Sequence, residues 1–94
     1  MRVIVLDGKM MTDPAAAHKY IAETAGFPEW YGKNLDALND CLGELGKNTC
    51  VVLLNEGTMR KQLGGYAARM LDVFENASEQ PYSFDFVICE DTDA

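Results

Sequence analysis

Residues 28–42 of the chain read PEWYGKNLDALNDCL, and this stretch says more about fold and function than the rest of the sequence. Two adjacent aromatic residues, Trp30 and Tyr31, lie between a proline and Gly32, which is the composition of a loop that connects two helices. Asn34 follows as a good N-cap residue, so the pattern predicts that a helix begins there. A short loop rarely turns two neighbouring side chains inward, and we therefore expect at least one of the two rings to be exposed.

The helix that follows separates leucines from acids by their spacing. It is predicted to run from Asn34 to near Gly46, and its four leucines cluster within roughly 80° on a helical wheel. These leucines are Leu35, Leu38, Leu42 and Leu45. Asp36, Asp40 and Glu44 fall on the opposite side, where like charges at four-residue spacing disfavour a helix by about a few tenths of a kcal/mol per pair. The column of acids is therefore either a plain solvated face or a binding surface.

The remaining chain alternates between apolar runs and helical patterns. Asp13 and Pro14 are strong signals for a helix start, and Gly26 is a good stop. Strands are predicted at residues 2–6, 49–54 and 84–89, helices at 14–25, 34–46 and 66–76, and an ambiguous segment, compatible with a short helix, at 55–63. The order β-α-α-β-α-α-β predicts one α/β domain over residues 1–94, a three-stranded parallel β-sheet packed with about four helices.

Two further expectations concern the strands and the chain end. The first apolar run is typical of a strand covered on both faces, and the uninterrupted second run is typical of a central strand. The acidic residues 90–94 are expected to fray.

The charge of the chain is strongly negative and unevenly distributed. The net charge is −7 over 94 residues. Residues 34–46 contain three acids and residues 70–94 contain seven, with no lysine or arginine in either stretch. This balance argues against nucleic acid as a partner, because phosphate contacts need a basic surplus. It predicts instead a field that steers a basic partner toward one side of the molecule.

Nothing in the sequence indicates a membrane span, a signal peptide, a metal site or a cofactor. Cys41, Cys50 and Cys89 match no zinc or redox spacing, which predicts buried free thiols in a cytoplasmic protein. His18, the single histidine, lies beside three alanines and a lysine, and we expect it to be solvated on a surface helix. The net charge and the absence of an apolar surface motif predict a monomer.

An exposed aromatic ring beside exposed acids is the composition of a protein-binding hot spot, able to stack on a histidine or an arginine. The stretch at residues 28–42 also resembles the barstar family, the intracellular inhibitors of barnase-type, guanyl-preferring ribonucleases. The barstar loop and second helix likewise read proline, acid, two aromatics and glycine, then Asn-Leu-Asp-Ala-Leu, an aspartate and Cys-Leu. Gly8, His18 and the Val73-Phe74 pair also fit that pattern, more weakly.

The resemblance implies a small α/β fold and one-to-one inhibition of a basic extracellular or toxin ribonuclease. Asp40 would enter the pocket where an RNA phosphate normally sits. Asp36 would pair with a basic residue of the enzyme at the rim of that pocket. Trp30 would pack on the catalytic histidine, and Asn34 would hydrogen-bond alongside. The predicted partner-binding residues are Trp30, Tyr31, Asn34, Asp36, Asn39, Asp40, Gly43, Glu44 and Asn76. No catalytic residue is predicted, and the chain is not expected to be an enzyme.

Three positions and one turn depart from the family pattern. The turn after Leu42 reads Gly43-Glu44, which gives a different rim. Asn39 stands where barstars have a tryptophan beside the central aspartate, Trp30 replaces a tyrosine, and Asn76 stands where barstars often have an acid. These differences bear on the identity of the target more than on the mode of binding. Beside a barnase-type ribonuclease they leave two alternatives open, a diverged ribonuclease or the toxin domain of an interbacterial system for which this chain is the immunity protein.

Two other classes of function remain open at the level of sequence. Asp36 and Asp40 could serve a hydrolase or hold a hard metal ion, but no motif places a third ligand beside them. Alternatively, the chain keeps the fold and binds a protein that is not a nuclease, since fold does not fix function. Failure to inhibit any ribonuclease, with capture of another partner, would favour this alternative.

Overall fold

The computed structural model describes residues 1–89, and its elements follow the predicted order β-α-α-β-α-α-β. They are β1 (Arg2–Asp7), α1 (Pro14–Ala25), α2 (Leu35–Leu42), β2 (Thr49–Leu54), α3 (Glu56–Leu63), α4 (Gly65–Ser78) and β3 (Asp85–Ile88), with a 3-10 turn at Gly8–Met10. The segment left ambiguous by the sequence is therefore the helix α3. The expected fraying of residues 90–94 lies outside the described residues.

The three strands form one parallel sheet in the order β1-β2-β3. This confirms the predicted sheet and the central position of the second strand. Ile4 lies opposite Val51 and Leu6 lies opposite Leu53. All four side chains are buried, and they share one face because side chains alternate along a strand. That face carries the core.

The opposite face of the sheet is open to solvent. Val3 is 56% exposed, and Val5 and Val87 are exposed as well. We call these three valines, with the half-buried Val52 between them, the bare sheet face. The prediction that β1 is covered on both faces is therefore wrong. β-branched residues indicate a strand, but which faces are covered depends on where the helices pack, and a short apolar run does not carry that information.

The ends of α1 agree with the sequence signals. The Asp13 carboxylate accepts a hydrogen bond from the Ala16 backbone N–H at 2.8 Å, and Pro14 occupies the first helical position. Gly26 ends the helix in the left-handed region, at φ 75°, where a side chain would be strained. The Arg2 guanidinium on β1 donates to the Ala25 carbonyl oxygen at this end, so the sheet edge is fastened to the helix terminus.

A close backbone contact joins the end of β1 to the start of α3. A Cβ atom on Gly8 would lie 2.3 Å from the Asn55 carbonyl oxygen, so only glycine fits there. The Asn55 side-chain amide donates to Asp7 Oδ1 at 2.9 Å. This hydrogen bond, with a second one from the Lys9 backbone N–H, lowers the pKa of the Asp7 carboxyl.

The core lies between the sheet and the helices, and it positions α2. α2 packs against α4, and α4 packs against β3. The ring of Phe74 on α4 stacks on Phe86 of β3, with ring centroids 5.1 Å apart. Among the most completely buried side chains are Phe84, Leu6, Met11, Ile21, Leu38, Leu42, Met59 and Met70. α2 is thus held by the core along one side only, and its other side is free.

Candidate functional site

Helix α2 is anchored by its leucines and by its N-cap. Leu38 and Leu42 are buried, and each contributes roughly 1.5–3 kcal/mol relative to an exposed leucine. The Asn34 side-chain oxygen accepts a hydrogen bond from the Ala37 backbone N–H at 2.8 Å, which confirms the predicted cap. The helix therefore gives a fixed support to whatever its outer side carries.

The outer side of α2 carries two carboxylates and an amide. Asp36, Asn39 and Asp40 are all exposed. Within residues 1–89 neither aspartate forms an ion pair, and the ion pair described there joins Arg60 to Glu56 on α3. Within the described residues no basic side chain therefore pairs with these two carboxylates, and both are exposed to a group from outside the chain.

The end of α2 differs from the prediction. The helix ends at Leu42, four residues short of Gly46, and Gly43 is its C-cap. Beyond it the chain tightens into 3-10-type bonding, in which the Glu44 N–H donates to the Cys41 carbonyl at 3.2 Å. The Thr49 hydroxyl on β2 then donates to the Leu45 carbonyl at 2.8 Å. These bonds satisfy carbonyls that a longer helix would have used, so Glu44 lies on a turn rather than in a helical column.

The two neighbouring aromatics of the loop have opposite environments. Trp30 is 79% exposed, whereas Tyr31 is 6% exposed and its ring packs against Phe27, with centroids 5.2 Å apart. The loop thus turns one ring inward and leaves one outward, within the range that the sequence allowed. Of the two predicted contact residues, the structure places Trp30 on the surface and Tyr31 beneath it.

His18 connects Tyr31 to the core through a hydrogen bond. The prediction that His18 is solvated is therefore wrong. His18 is 1% exposed, and its Nδ1 lies 2.6 Å from the Tyr31 hydroxyl, while its Nε2 lies 2.6 Å from the Tyr66 hydroxyl on α4. Burial lowers the pKa of His18 and raises that of both tyrosines, so all three groups are neutral near pH 7. A neutral imidazole has one donor and one acceptor nitrogen, and the two hydroxyls satisfy both.

The sequence contained a signal for this buried histidine. His18, Ile21 and Ala25 are spaced at i, i+3 and i+7, which places them on one face of α1, and the latter two are buried. The neighbouring alanines and lysine suggested a surface position, but helical spacing decides which side of a helix a residue faces. Tyr66, which lies on the buried side of α4, is the member of this hydrogen-bond network that the sequence reasoning missed.

An open groove of about 270 Å³ lies between the loop, α2 and the end of α1. Trp30, Asp40 and Glu44 line it, so three of the predicted site residues meet there even though Glu44 is off the helix. Arg2 also lines it, next to apolar walls that include Phe27 and Pro28. We call Trp30, Asp36, Asp40 and Glu44 together the acidic surface.

The cysteines have no reactive environment near this surface. Burial raises the pKa of the Cys41 thiol, and the Glu44 and Asp40 carboxylates raise it further, so the group is a neutral thiol near pH 7. Cys41 is buried as predicted, whereas Cys50 and Cys89 are half-buried on and after the strands β2 and β3. All three are free thiols.

The remaining predicted residues lie at the edges of the acidic surface or on a neighbouring helix. Gly43 follows α2 as its C-cap, and Asn34 precedes α2 with its side-chain oxygen already used by the cap. Asn76 is exposed near the end of α4, the helix that packs against α2. Across residues 1–89, no three histidine, cysteine or acidic side chains are grouped as metal ligands. None of the helices in that range has the length and apolar character to cross a membrane.

Comparison with known proteins connects this geometry to a family. Residues 1–89 match the family model described as "Barstar (barnase inhibitor)". The chain is also 37% identical over 81 residues to a protein of Bacillus subtilis (strain 168) named "Putative ribonuclease inhibitor YrdF". That alignment covers 85% of this chain and 89% of the Bacillus protein.

Proposed function

This chain belongs to the barstar family, and from that premise we propose that it inhibits a barnase-type ribonuclease by covering the cationic active site with its acidic surface. Membership of the family and similarity to a protein named as a ribonuclease inhibitor both support a ribonuclease as the general class of partner. The finer statement, that this surface enters the active site of a guanyl-preferring enzyme as one inhibitor per ribonuclease, is our proposal.

One observation carries the proposal: an exposed tryptophan lies beside unpaired carboxylates on a helix that the core holds fixed. Trp30 is 79% exposed, and Asp36 and Asp40 have no ion-pair partner within residues 1–89. Neither exposed apolar surface nor like-charge repulsion benefits the free chain. Both features become favourable when a cationic surface covers them, because charge-assisted hydrogen bonds and cation–π contacts then form.

The geometry suits the imitation of a phosphate. A ribonuclease of this class binds a phosphodiester in a cleft of basic side chains, and a carboxylate on a rigid helix presents the same charge to it. We assign Asp40 the central position and Asp36 a position at the rim. Trp30 would stack on a catalytic histidine, and Asn34 would donate through its amide nitrogen, because its oxygen already caps α2.

The other predicted residues would complete the interface around this centre. Glu44 and Gly43 follow α2 on the side of the groove, Asn39 lies between the two aspartates in sequence, and Asn76 would contact the partner from α4. Tyr31 would contribute from beneath by holding the loop that carries Trp30. We expect the protein to act in the cytoplasm, where its three thiols stay reduced.

The proposal is tested by RNA cleavage with a panel of barnase-type ribonucleases at stoichiometric inhibitor. The wild-type chain and Asp40→Ala are compared with Asp85→Ala, which removes the same charge from an exposed position on β3. Inhibition that ends at one equivalent, disappears in Asp40→Ala and persists in Asp85→Ala would support the proposal. Equal inhibition by both variants would contradict the assigned surface, and no inhibition across the panel would contradict the proposed enzyme class.

The second candidate function is an immunity protein or interaction module with a diverged toxin or a non-nuclease protein as its partner. Asn39 favours it, because an exposed amide stands on α2 where the family has an aromatic contact. Affinity capture with the wild type and with Asp40→Ala would distinguish it. A captured protein other than a barnase-type ribonuclease, lost in the variant, would replace the first candidate with this one.

A further inference from the structure

Two exposed side chains meet beyond the C-terminal ends of α2 and α4. Lys47 lies in the connection between α2 and β2, and Tyr82 lies in the connection between α4 and β3. The Lys47 ammonium lies over the Tyr82 ring, with Nζ 5.8 Å from the ring centroid, so the two connections come together where the packed helices end. We call these two residues the tyrosine–lysine pair.

The backbone of Tyr82 is strained. Its φ is 61°, in the left-handed region that a bulky side chain disfavours and that glycine or asparagine adopts more readily. Ser83 fixes the turn, because its backbone N–H donates to the Gln80 carbonyl at 3.2 Å and its hydroxyl donates to the Ala77 carbonyl at 2.6 Å. The turn therefore holds the backbone that carries the ring in one conformation, at an energetic cost.

The free chain gains little from this ring. Tyr82 is 82% exposed, and within residues 1–89 its hydroxyl forms no hydrogen bond. The Lys47 ammonium lies close to the roughly 6 Å limit of a cation–π contact, and such a contact contributes little at an exposed site. Backbone strain of this kind concentrates at binding sites, where function retains a residue that folding disfavours.

The charge of Lys47 stands alone between two acidic parts of the sequence. Residues 34–46 and 70–94 contain ten acids and no lysine or arginine. Within residues 1–89 Lys47 forms no ion pair. An ammonium and a phenol hydroxyl both donate hydrogen bonds, so the tyrosine–lysine pair fits a carboxylate. A nucleic acid is a poor alternative, because the neighbouring acids would repel its chain of phosphates.

The tyrosine–lysine pair lies within reach of a partner that covers the acidic surface. Glu44 lines the groove and precedes Lys47 by three residues, so their Cα atoms are at most about 11 Å apart. A standard interface buries roughly 800 Å² per partner, which corresponds to a disc about 30 Å across. One partner can therefore contact both the acidic surface and the pair.

We propose that Tyr82 and Lys47 form a second contact with the ribonuclease and select enzymes that carry an aspartate or glutamate beside the active site. This rests on the proposed function for the identity of the partner, and it adds two specificity-determining residues outside the acidic surface. An enzyme with the acid gains a charge-assisted hydrogen bond to Lys47, whereas an enzyme with a base at that place is repelled. The pair thus discriminates among basic ribonucleases that the acidic surface attracts by their overall charge.

The first experiment needs no partner. Tyr82→Asn removes the ring and places at this position a residue that adopts the left-handed region more readily. We expect the melting temperature of this variant to be unchanged or raised by up to about 5 °C, and that of Tyr82→Phe to match the wild type. A lower melting temperature for Tyr82→Asn would show that the ring supports the fold, and it would overturn the proposal.

The second experiment measures the dissociation constant with an inhibited ribonuclease. Lys47→Glu is compared with Lys61→Glu, which makes the same charge change at an exposed position on α3. Because the target is basic, added negative charge by itself should leave binding unchanged or tighten it. We expect Lys47→Glu to weaken binding about three- to tenfold and Tyr82→Asn to weaken it about threefold, with no weakening in Lys61→Glu. Equal effects of the two lysine variants would overturn the proposal.

A cross-link of zero length identifies the group that Lys47 contacts. A carbodiimide joins a lysine amine to a touching carboxylate as an amide, with loss of water, and peptide mass spectrometry locates the bond. We expect Lys47, and not Lys61, to be linked to an aspartate or glutamate of the ribonuclease. Replacing that acid by lysine should weaken binding of the wild type and restore binding of Lys47→Glu. A saturated complex in which Lys47 is linked to no ribonuclease carboxylate would overturn the proposal.

These results separate the tyrosine–lysine pair from the proposed function. If the wild type inhibits and Lys47→Glu binds as tightly as Lys61→Glu, the pair fails and the inhibitor proposal stands. If no ribonuclease is bound, the inhibitor proposal fails, and the cross-link is made to the protein captured through Asp40. A carboxylate of that protein linked to Lys47 would support the pair as a contact site, and the absence of such a link would overturn it.

Discussion

The acidic surface and the bare sheet face are both open to solvent, but only one of them is unusual for a free domain. Three strands about 4.8 Å apart and about 20 Å long cover roughly 300 Å², which is an ordinary apolar patch on a monomer. It is well below the roughly 800 Å² per partner of a standard protein interface. The valines of the bare sheet face therefore give no reason to invoke a partner.

The acidic surface is harder to explain from folding alone. Asp36 and Asp40 repel each other at four-residue spacing, and Trp30 exposes most of an indole beside them. At the same time the buried side chains of Leu38, Leu42 and Tyr31 anchor this region to the core. The comparison teaches that exposed apolar area is a poor guide to function in this chain. Unpaired charge on a well-anchored support is the better guide.

The largest effect on binding is expected from Asp40→Ala, a substitution on the acidic surface. We expect it to weaken ribonuclease binding by about 3–5 kcal/mol, because the basic groups that would surround Asp40 in the proposed complex would be left buried and unpaired. The free energy of unfolding of the free protein should stay the same or rise by about a few tenths of a kcal/mol, since repulsion with Asp36 is relieved. Calorimetric titration and urea unfolding measure the two quantities.

Asp40→Asn serves as the isosteric control for this variant. A large loss of unfolding free energy in either protein would show that Asp40 supports the fold, and the contrast between the two surfaces would then collapse.

The next largest effect is expected beneath the acidic surface. Tyr66→Phe removes the hydroxyl that lies 2.6 Å from His18 Nε2 and leaves a buried ring nitrogen without a partner. We expect a loss of about 1–3 kcal/mol in the free energy of unfolding, measured in urea. Tyr20→Phe is a matched control, because its hydroxyl accepts a hydrogen bond from the Asp7 backbone N–H and does not contact His18. A loss no larger than that of the control would mean that the histidine network does not stabilise the loop support.

The same network predicts how stability depends on pH. Burial lowers the pKa of His18 below 6.5, its value in an unfolded chain, so the unfolded state binds a proton first as the pH falls. The contribution of the neutral imidazole is therefore fully present above pH 6.5 and is lost below it, at up to about 1.4 kcal/mol per pH unit. His18→Gln should flatten this slope in urea titrations between pH 7 and 5. If the free energy of unfolding of the variant depended on pH with an unchanged slope, other titrating groups would be the cause of that dependence.

How far the sequence predicts this molecule depends on whether a feature is local or tertiary. Asp13, Pro14 and Gly26 define α1 correctly because caps and stops act within one helical turn. The end of α2 was missed because Gly43 keeps helical angles, at φ −61°, and Leu45 continues the apolar spacing. What ends the helix is the tightening of the turn and a hydroxyl from β2, and a local pattern contains neither.

The candidate site divides in the same way. The acids, Trp30 and the N-cap Asn34 were recognisable as a loop and helix motif, and Trp30, Asp40 and Glu44 line one groove. Tyr66 is 48 residues from His18 in the chain, and only the packing of α4 brings the two side chains together. The groove also escaped prediction, because it is formed by Arg2, Trp30 and Glu44, which lie on three different elements.

A smaller effect is expected in the rate of association, and it sharpens the contrast between charge and apolar area. If the acidic surface steers a basic ribonuclease, the association rate constant should fall about tenfold or more between low and high salt. The Debye length shortens from about 30 Å at 0.01 M to about 3 Å at 1 M, which screens the attraction before contact. Stopped-flow detection of Trp30 fluorescence measures this rate. An association rate constant that does not change with salt concentration would contradict electrostatic steering.

The smallest effect is expected on the bare sheet face. If this face is not part of the interface, substitutions there should leave inhibition unchanged. Val87 is 45% exposed on the edge strand β3, so Val87→Lys removes little buried apolar area and places a charge where edge strands commonly carry one. We expect the free energy of unfolding to change by less than about 0.5 kcal/mol, and ribonuclease inhibition to be unchanged. Val5→Lys on β1 repeats the test on the opposite edge of the same face. If either lysine weakened inhibition as Asp40→Ala is expected to do, the valines would belong to the interface, and exposed apolar area would have to be counted as a binding signal in this fold after all.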